Sequence, residues 1–323
     1  MSRRKTFSRW LAVLAAASGV LAATPALALD NLKMMVPAAP GGGWDQTGRA
    51  LEAAMKANNI VKSVQIENKG GAAGTIGLAQ FVNTNKGNAN ALMVGGAVMV
   101  GGIITNKAPV TLSKVTPIAR LTGEYEVIVV PADSKLKTMK ELVAQLKQNP
   151  GSVSWGGGSK GGVDHILAAL IAKDIGVDPT KINYIAYAGG GEATAAILGG
   201  HVTAGVSGWG EFEGQIQAGK MRALAISSDK RVSGIDVPTL KEQGINVELA
   251  NWRAVFGAPG ISDKGKKDLI AAVEKTVKTK EWQETLKQKN WMGLYLAGDE
   301  FAKFIAAEEK RIGDILVSVG LAK

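Results

Sequence analysis

Short clusters of glycine recur along this chain at one kind of place. Each follows a run of β-forming residues, and most precede a run with helical spacing. They are PGGGWD (residues 40–45), KGGAAGTIG (69–77), GGAVMVGG (95–102), GGGSKGG (156–162), AGGGEA (188–193) and SGWG (207–210). Glycine at such points permits positive φ and lets another backbone or a ligand come close. In open α/β sheets, ligands bind beyond the carboxyl ends of the strands. The helix that follows presents unpaired N–H groups and the positive end of its dipole. One such loop is a turn. Five or six at equivalent strand ends predict a shared ligand cleft.

The spacing between the clusters predicts an α/β fold with mostly parallel sheets. NLKMMVPAAP reads as a strand and residues 45–58 as a helix, with Asp45 at the N-cap position. The alternation continues through VKSVQIENK, GTIGLAQFVNT, ALMVGGA and YEVIVVPADS. KTMKELVAQLKQNPG reads as a helix stopped by Pro150-Gly151. SVSWGGG then leads into the helix GVDHILAALIAKDIG, and MRALAISS and RAVFGAPG read as strands. SDKGKKDLIAAVEKTVKTKEWQETLKQKN reads as one helical run, and GDEFAKFIAAEEKRIGDILVSVG as a final helix. The length suits two α/β lobes with a cleft between them. Crossings are expected near Val127–Ala132 and Asn251–Ala254. That divides the chain into residues 29–128 and 253–323 in one domain and 129–252 in the other.

The first 28 residues are expected to lie outside that fold. A basic start, MSRRKTFSRW, is followed by an apolar stretch too short to span a bilayer and by the small-x-small box Ala26-Leu27-Ala28. This is the pattern of a secretory signal peptide, so export to the periplasm is expected. The chain has no cysteine, which excludes disulfides and thiol chemistry. Removing Arg3, Arg4, Lys5 and Arg9 lowers the formal charge from +10 to +6. The remaining basic residues are scattered among acids, with no basic block interleaved with aromatics, so nucleic acid is not an expected partner. A mild positive excess suits a small anionic ligand.

Three motifs offer chemistry and fail on context. Gly156, Gly158 and Gly161 form a G-x-G-x-x-G, yet the next strand carries no acid before Glu192, past its glycines. Gly157-Gly158-Ser159-Lys160-Gly161 has the form of a nucleophile elbow. The chain holds two histidines, His165 and His201, and neither lies in the late loop that such a triad needs. In the phosphate-loop-like run from Gly214 to Lys220, Met221 stands where magnesium needs Ser or Thr. No His/Cys/carboxylate cluster has metal spacing. The expectation is therefore a binding protein with no catalytic residues, metal or cofactor. Its rival from another class is a secreted serine hydrolase using Ser159.

VPAAPGGGWDQTGRAL, IENKGGAAGTIGLAQF, SWGGGSKGGVDH, AYAGGGEATAAILGGHVTAGVSG, AGKMRALAISSDKR and APGISDKGKKDL follow one another in that order. Together with the signal peptide they resemble the periplasmic receptors of tripartite tricarboxylate transporters, also called Bug proteins. The resemblance covers essentially the whole exported chain. It implies a two-lobed periplasmic-binding-protein fold, type II-like, that closes on a small organic carboxylate. A monomeric receptor would then deliver that ligand to the membrane components of the transporter. PGGGWDQTGR looks most like the citrate-type receptors, so a tricarboxylate such as citrate is the expected ligand, with a dicarboxylate or an aromatic acid as the alternative.

The resemblance also implies that two β-α loops hold the carboxylate through backbone amides. Here they are Pro40, Gly41, Gly42, Gly43, Trp44 and Asp45 in one lobe and Gly157, Gly158, Ser159, Lys160, Gly161 and Gly162 in the other. Trp44 replaces a small or polar residue of many relatives, and either narrows the cleft or staples the helix start. Asp45 reads mainly as a cap, and Lys160 as a source of charge or a solvated loop residue. Thr75, Tyr187, Gly190 and Trp209 complete the candidates. Arg253, near the second crossing, must pair with either the ligand or an internal acid.

Overall fold

The computed structural model describes residues 29–323, so the expected signal peptide lies outside the described residues. A first run lays down β1 (Leu29–Val36), α1 (Gly43–Ala57), β2 (Val61–Asn68), α2 (Thr75–Thr84), β3 (Ala91–Gly96) and α3 (Ala97–Thr105). β4 (Thr116–Pro131) then carries the chain into a second run. This comprises α4 (Met139–Gln148), β5 (Ser154–Gly157), α5 (Val163–Asp174), β6 (Asn183–Ala186), α6 (Gly190–Leu198), β7 (Ala204–Gly208), α7 (Trp209–Gln217) and β8 (Met221–Ile226). β9 (Ala250–Gly257) brings the chain back. α8 (Asp263–Val277), α9 (Lys280–Gln288), β10 (Met292–Ala297) and α10 (Gly298–Ser318) complete it.

The strands run β2-β1-β3-β9-β4-β7-β5-β6 across the sheet, with β8 and β10 also on β4. β1 lies parallel between β2 and β3, and β5 lies parallel between β6 and β7. These are the βαβ units that the sequence predicts. The expectation of mostly parallel sheets fails around them. β4 is antiparallel to β7, β8, β9 and β10, and β3 is antiparallel to β9. The reason is that β4 takes the chain from one half to the other and β9 returns it. β4 pairs with β9 up to Tyr125 and with β7 from Glu126 onward. The two halves thus meet in the middle of one 16-residue strand.

Two local expectations are also corrected. Most of the cluster GGAVMVGG, residues 95–102, is not a glycine loop, since α3 begins at Ala97. Its Gly101 and Gly102 serve close packing: a Cβ at Gly101 would overlap the Gly161 carbonyl oxygen, and one at Gly102 would overlap Ala73. The long helical run near the C-terminus is two helices, because Thr279 starts α9 with its own cap, Trp282 N–H donating to Thr279 Oγ1 at 3.3 Å. α7 and β10 were not legible at all.

The core follows the strands. β3 is buried along its whole length, and β9 nearly so. α10 closes over β9 through aromatic contacts, with Phe304 edge-on to Trp252 at 5.2 Å and Phe301 tilted on Phe256 at 5.6 Å. One polar clamp fixes this packing. The buried Trp252 indole N–H donates to Glu308 Oε2 at 2.7 Å, and Arg311 donates to the same carboxylate at 2.6 and 2.8 Å. Leaving a buried donor unpaired costs about 1–3 kcal/mol. Glu308→Ala should therefore lower unfolding free energy by about that much, read from urea denaturation; no change would mean that the clamp is redundant.

Candidate functional site

The glycine clusters after β1, β5, β6 and β7 all become helix starts with one property in common. α1, α5, α6 and α7 take Gly42, Gly162, Gly189 and Gly208 as N-cap residues, and none has a side-chain cap. Their first N–H groups are left without the acceptor that a Ser, Thr or Asp cap supplies. The α1 and α6 starts approach from opposite halves. A Cβ on Gly42 would stand 3.5 Å from Gly190 N. Between them lies a small cleft of about 70 Å³, partly open to solvent.

Six of the expected site residues line this cleft: Gly42, Gly43 and Trp44 from the first loop, Gly158 and Ser159 from the second, and Gly190. Trp44 is buried, with its ring against Gly74. Pro40, Gly41, Gly157 and Gly161 belong to the same loops but do not form its lining. Asp45 is not an N-cap. It sits inside the first turn of α1, accepts from Gly41 N–H at 2.9 Å and Arg49 Nε at 2.8 Å, and takes Asn68 Nδ2 at 2.9 Å on its other oxygen. Thr75 spends its hydroxyl on the Ala72 carbonyl at 2.9 Å. Lys160 is exposed, Tyr187 donates its N–H to Gly157 O at 2.9 Å, and Trp209 is buried in the core of the second half.

The second loop is braced from behind. Gly158 N–H donates to Asp164 Oδ2 at 2.6 Å, and the Tyr184 hydroxyl donates to Gly158 O at 2.8 Å. Gly161 adopts φ +77°, and its N–H donates to His165 Nδ1 at 3.1 Å. His165 stacks on Tyr184 at 4.1 Å, and burial pulls its pKa down to about 4. Its Nδ1 is spent as an acceptor on the Gly161 N–H of the preceding loop.

Sequence reasoning named Arg253 but missed the acids that form the floor of the cleft with it. Arg253 on β9 is 2% exposed and pairs with Glu124 through Nη2, which also stands 3.5 Å from Glu211 Oε1. Of the two partners that the sequence left open, internal acids take Nη2, while the buried Nε has no acceptor. Trp291 supports the pair, donating Nε1–H to Glu124 Oε2 at 3.2 Å and lying 5.3 Å from the guanidinium. Glu126, two residues along β4, is fully buried and neither oxygen has a hydrogen-bond partner. Asp164 and Glu211 complete a set of four acids around one arginine. A signal for the floor was present. Glu124 and Glu126 alternate inside an apolar strand, and Asp164 and Glu211 each fall within two residues of a glycine cluster.

Like charges about 5 Å apart at an effective dielectric near 20 repel by about 3 kcal/mol, so these acids do not all ionise. Burial raises Glu126 well above the carboxylate range, with the neighbouring acids adding to it. Burial likewise pushes Asp164 to about 6 and Glu211 to about 8, Arg253 partly offsetting the latter. An acid with a raised pKa in the folded state contributes stability that is present at low pH and lost as pH rises through the folded value. Unfolding free energy of the empty protein should therefore fall between about pH 5 and about pH 8. Glu211→Gln should flatten the upper part of that slope in urea titrations at fixed pH, and an unchanged slope would place the titration elsewhere.

A family model described as the tripartite tricarboxylate transporter family receptor, TctC, matches residues 48–321. The chain is 28% identical to the BugT protein of Bordetella pertussis over 90% of its length and 89% of that protein. A TctC solute binding protein from Polaromonas, solved without ligand, superposes with a TM-score of 0.63 at 29% identity, over 90% of this chain and 98% of that one. MatC from Rhodopseudomonas palustris, solved with bound malate, shares the fold with a TM-score of 0.78 at 22% identity, over 89% and 99%. With the family matched over most of its length and the two-lobed fold shared, this chain belongs to the tripartite tricarboxylate transporter receptor family and is a solute receptor, not an enzyme.

Proposed function

We propose that this receptor captures a small organic carboxylate in the periplasm and presents it to the membrane components of a tripartite tricarboxylate transporter. The observation that carries the reading is the convergence on one cleft of helix starts capped only by glycine. Fixed N–H dipoles bind a carboxylate without paying to reorganise. Residues 29–128 with 253–323 form one lobe and residues 129–252 the other, and the lobes close by a population shift toward the liganded state. The bound malate in MatC supports a carboxylate. The resemblance of PGGGWDQTGR to citrate-type receptors supports a tricarboxylate, while Asp164 and Glu211 on the cleft lining favour a ligand with fewer negative charges.

The test is a thermal shift of the exported chain against succinate, malate, citrate, glutarate, benzoate and their amino-substituted relatives. Ligand at about 100 times Kd stabilises by about 2.7 kcal/mol, so small aliphatic carboxylates should raise the melting temperature. Silence from every acid would sink the reading. Gly43→Ala offers a second check. A Cβ there would overlap Arg253 Nη2 and lie 2.8 Å from Glu211 Oε1. It should weaken binding by about tenfold or more with the fold retained by circular dichroism.

A further inference from the structure

The floor of the cleft poses a charge problem that a simple carboxylate does not solve. Among the described residues lining it, Arg253 is the sole cationic side chain; its Nη2 is committed to Glu124, which leaves its buried Nε without an acceptor. Two acids line the cleft, and Asp164 already accepts from Gly158 N–H, which leaves Glu211 as the acid for the ligand. It lines the cleft with its side chain 10% exposed. A Cβ on Gly190 would overlap its Oε2, and a Cβ on Gly43 would lie 2.8 Å from its Oε1. The carboxylate thus stands between the first turns of α6 and α1, in a field that a bound anion would otherwise occupy alone.

A second, independent group points the same way. Asn251 lines the cleft, is 5% exposed, and leaves Oδ1 without a donor. Buried acceptors without donors are costly. Glu211 and Asn251 therefore ask the incoming molecule for N–H groups, while the glycine-capped helix starts and the Ser159 hydroxyl remain available to a carboxylate. A dicarboxylate answers half of this lining and adds charge to the other half. An amino-substituted carboxylate answers both.

We propose that Glu211 selects ligand charge, and that the cleft takes a carboxylate that also carries a protonated nitrogen, its ammonium against Glu211 and Asn251 Oδ1 and its carboxylate on the free N–H groups of the α1 and α6 starts. This rests on the carboxylate-receptor reading and narrows it. In the empty cleft, Glu124, Glu126, Asp164 and Glu211 face one another across Arg253, and protons relieve their repulsion. The ligand's ammonium replaces such a proton, which leaves for the buffer. Binding is therefore coupled to proton release. The upward displacement of Glu211 by burial agrees with a proton being there to lose.

Calorimetry on the exported chain, unfolded and refolded to strip any endogenous ligand, tests this with matched pairs that differ only by the ammonium: aspartate against succinate and glutamate against glutarate. Titrations at pH 7 in two buffers of different ionisation enthalpy count the protons. In at least one pair the amino acid should bind about tenfold tighter or more than its nitrogen-free partner, with net proton release. Glu211→Gln should shrink that ratio by about tenfold. If Glu211→Gln does not fold, the wild-type ratio and proton count decide alone. Succinate, glutarate or citrate binding as tightly as the amino acids would overturn charge selection and leave the carboxylate receptor standing. So would a ratio unmoved by Glu211→Gln. Binding of no acid from either class would overturn both.

Discussion

Everything in the cleft depends on one buried ion pair, Arg253 with Glu124. It joins β9 to the midpoint of β4, the position at which the sheet passes from one half of the molecule to the other. Taking both charges out of water costs several kcal/mol per ion before their attraction repays it, so the pair is poor evidence of stability for its own sake. Its value lies in position. Trp291 from beyond α9 holds Glu124, and Glu211 from α7 leans on the same guanidinium. Strand, return strand, one helix and the connection after α9 are registered at one point, and the cleft opens above it.

Around that point the chain uses glycine in two different ways. At the starts of α1, α5, α6 and α7, glycine leaves backbone N–H groups uncapped and reachable. In α3, Gly101 and Gly102 instead remove side chains so that the helix can lie against the Gly161 carbonyl of one half and Ala73 of the other. The second use is packing, and it produced the misreading of GGAVMVGG, residues 95–102, as a loop. A helix built from AVMVGGIIT has weak intrinsic propensity. Burial between the two halves makes it form.

The acids of the floor divide in the same manner. Asp45 and Asp164 occupy similar places, just inside a helix that follows a glycine loop, and each accepts an N–H from its own loop. Yet Asp45 is paired with Arg49, hydrogen-bonded by Asn68 and outside the cleft lining, while Asp164 lines it among Glu126 and Glu211. Local sequence makes the two look equivalent. Their neighbours, supplied by distant strands, make one a brace and the other part of a charged floor.

The sequence by itself determined the α/β alternation, the family and several of the loops that line the cleft, because period, turn chemistry and glycine at strand ends are local properties of a chain. It named Gly42, Gly43, Trp44, Gly158, Ser159 and Gly190, all of which reach the lining. Only the tertiary structure decided the floor. Glu124, Asp164, Glu211 and Arg253 are spread over 129 positions, and the local marks near the acids do not say that they meet. A buried charge is defined by which other charges share its low-dielectric surroundings, and that is fixed by packing across the sheet rather than by any stretch of residues along it.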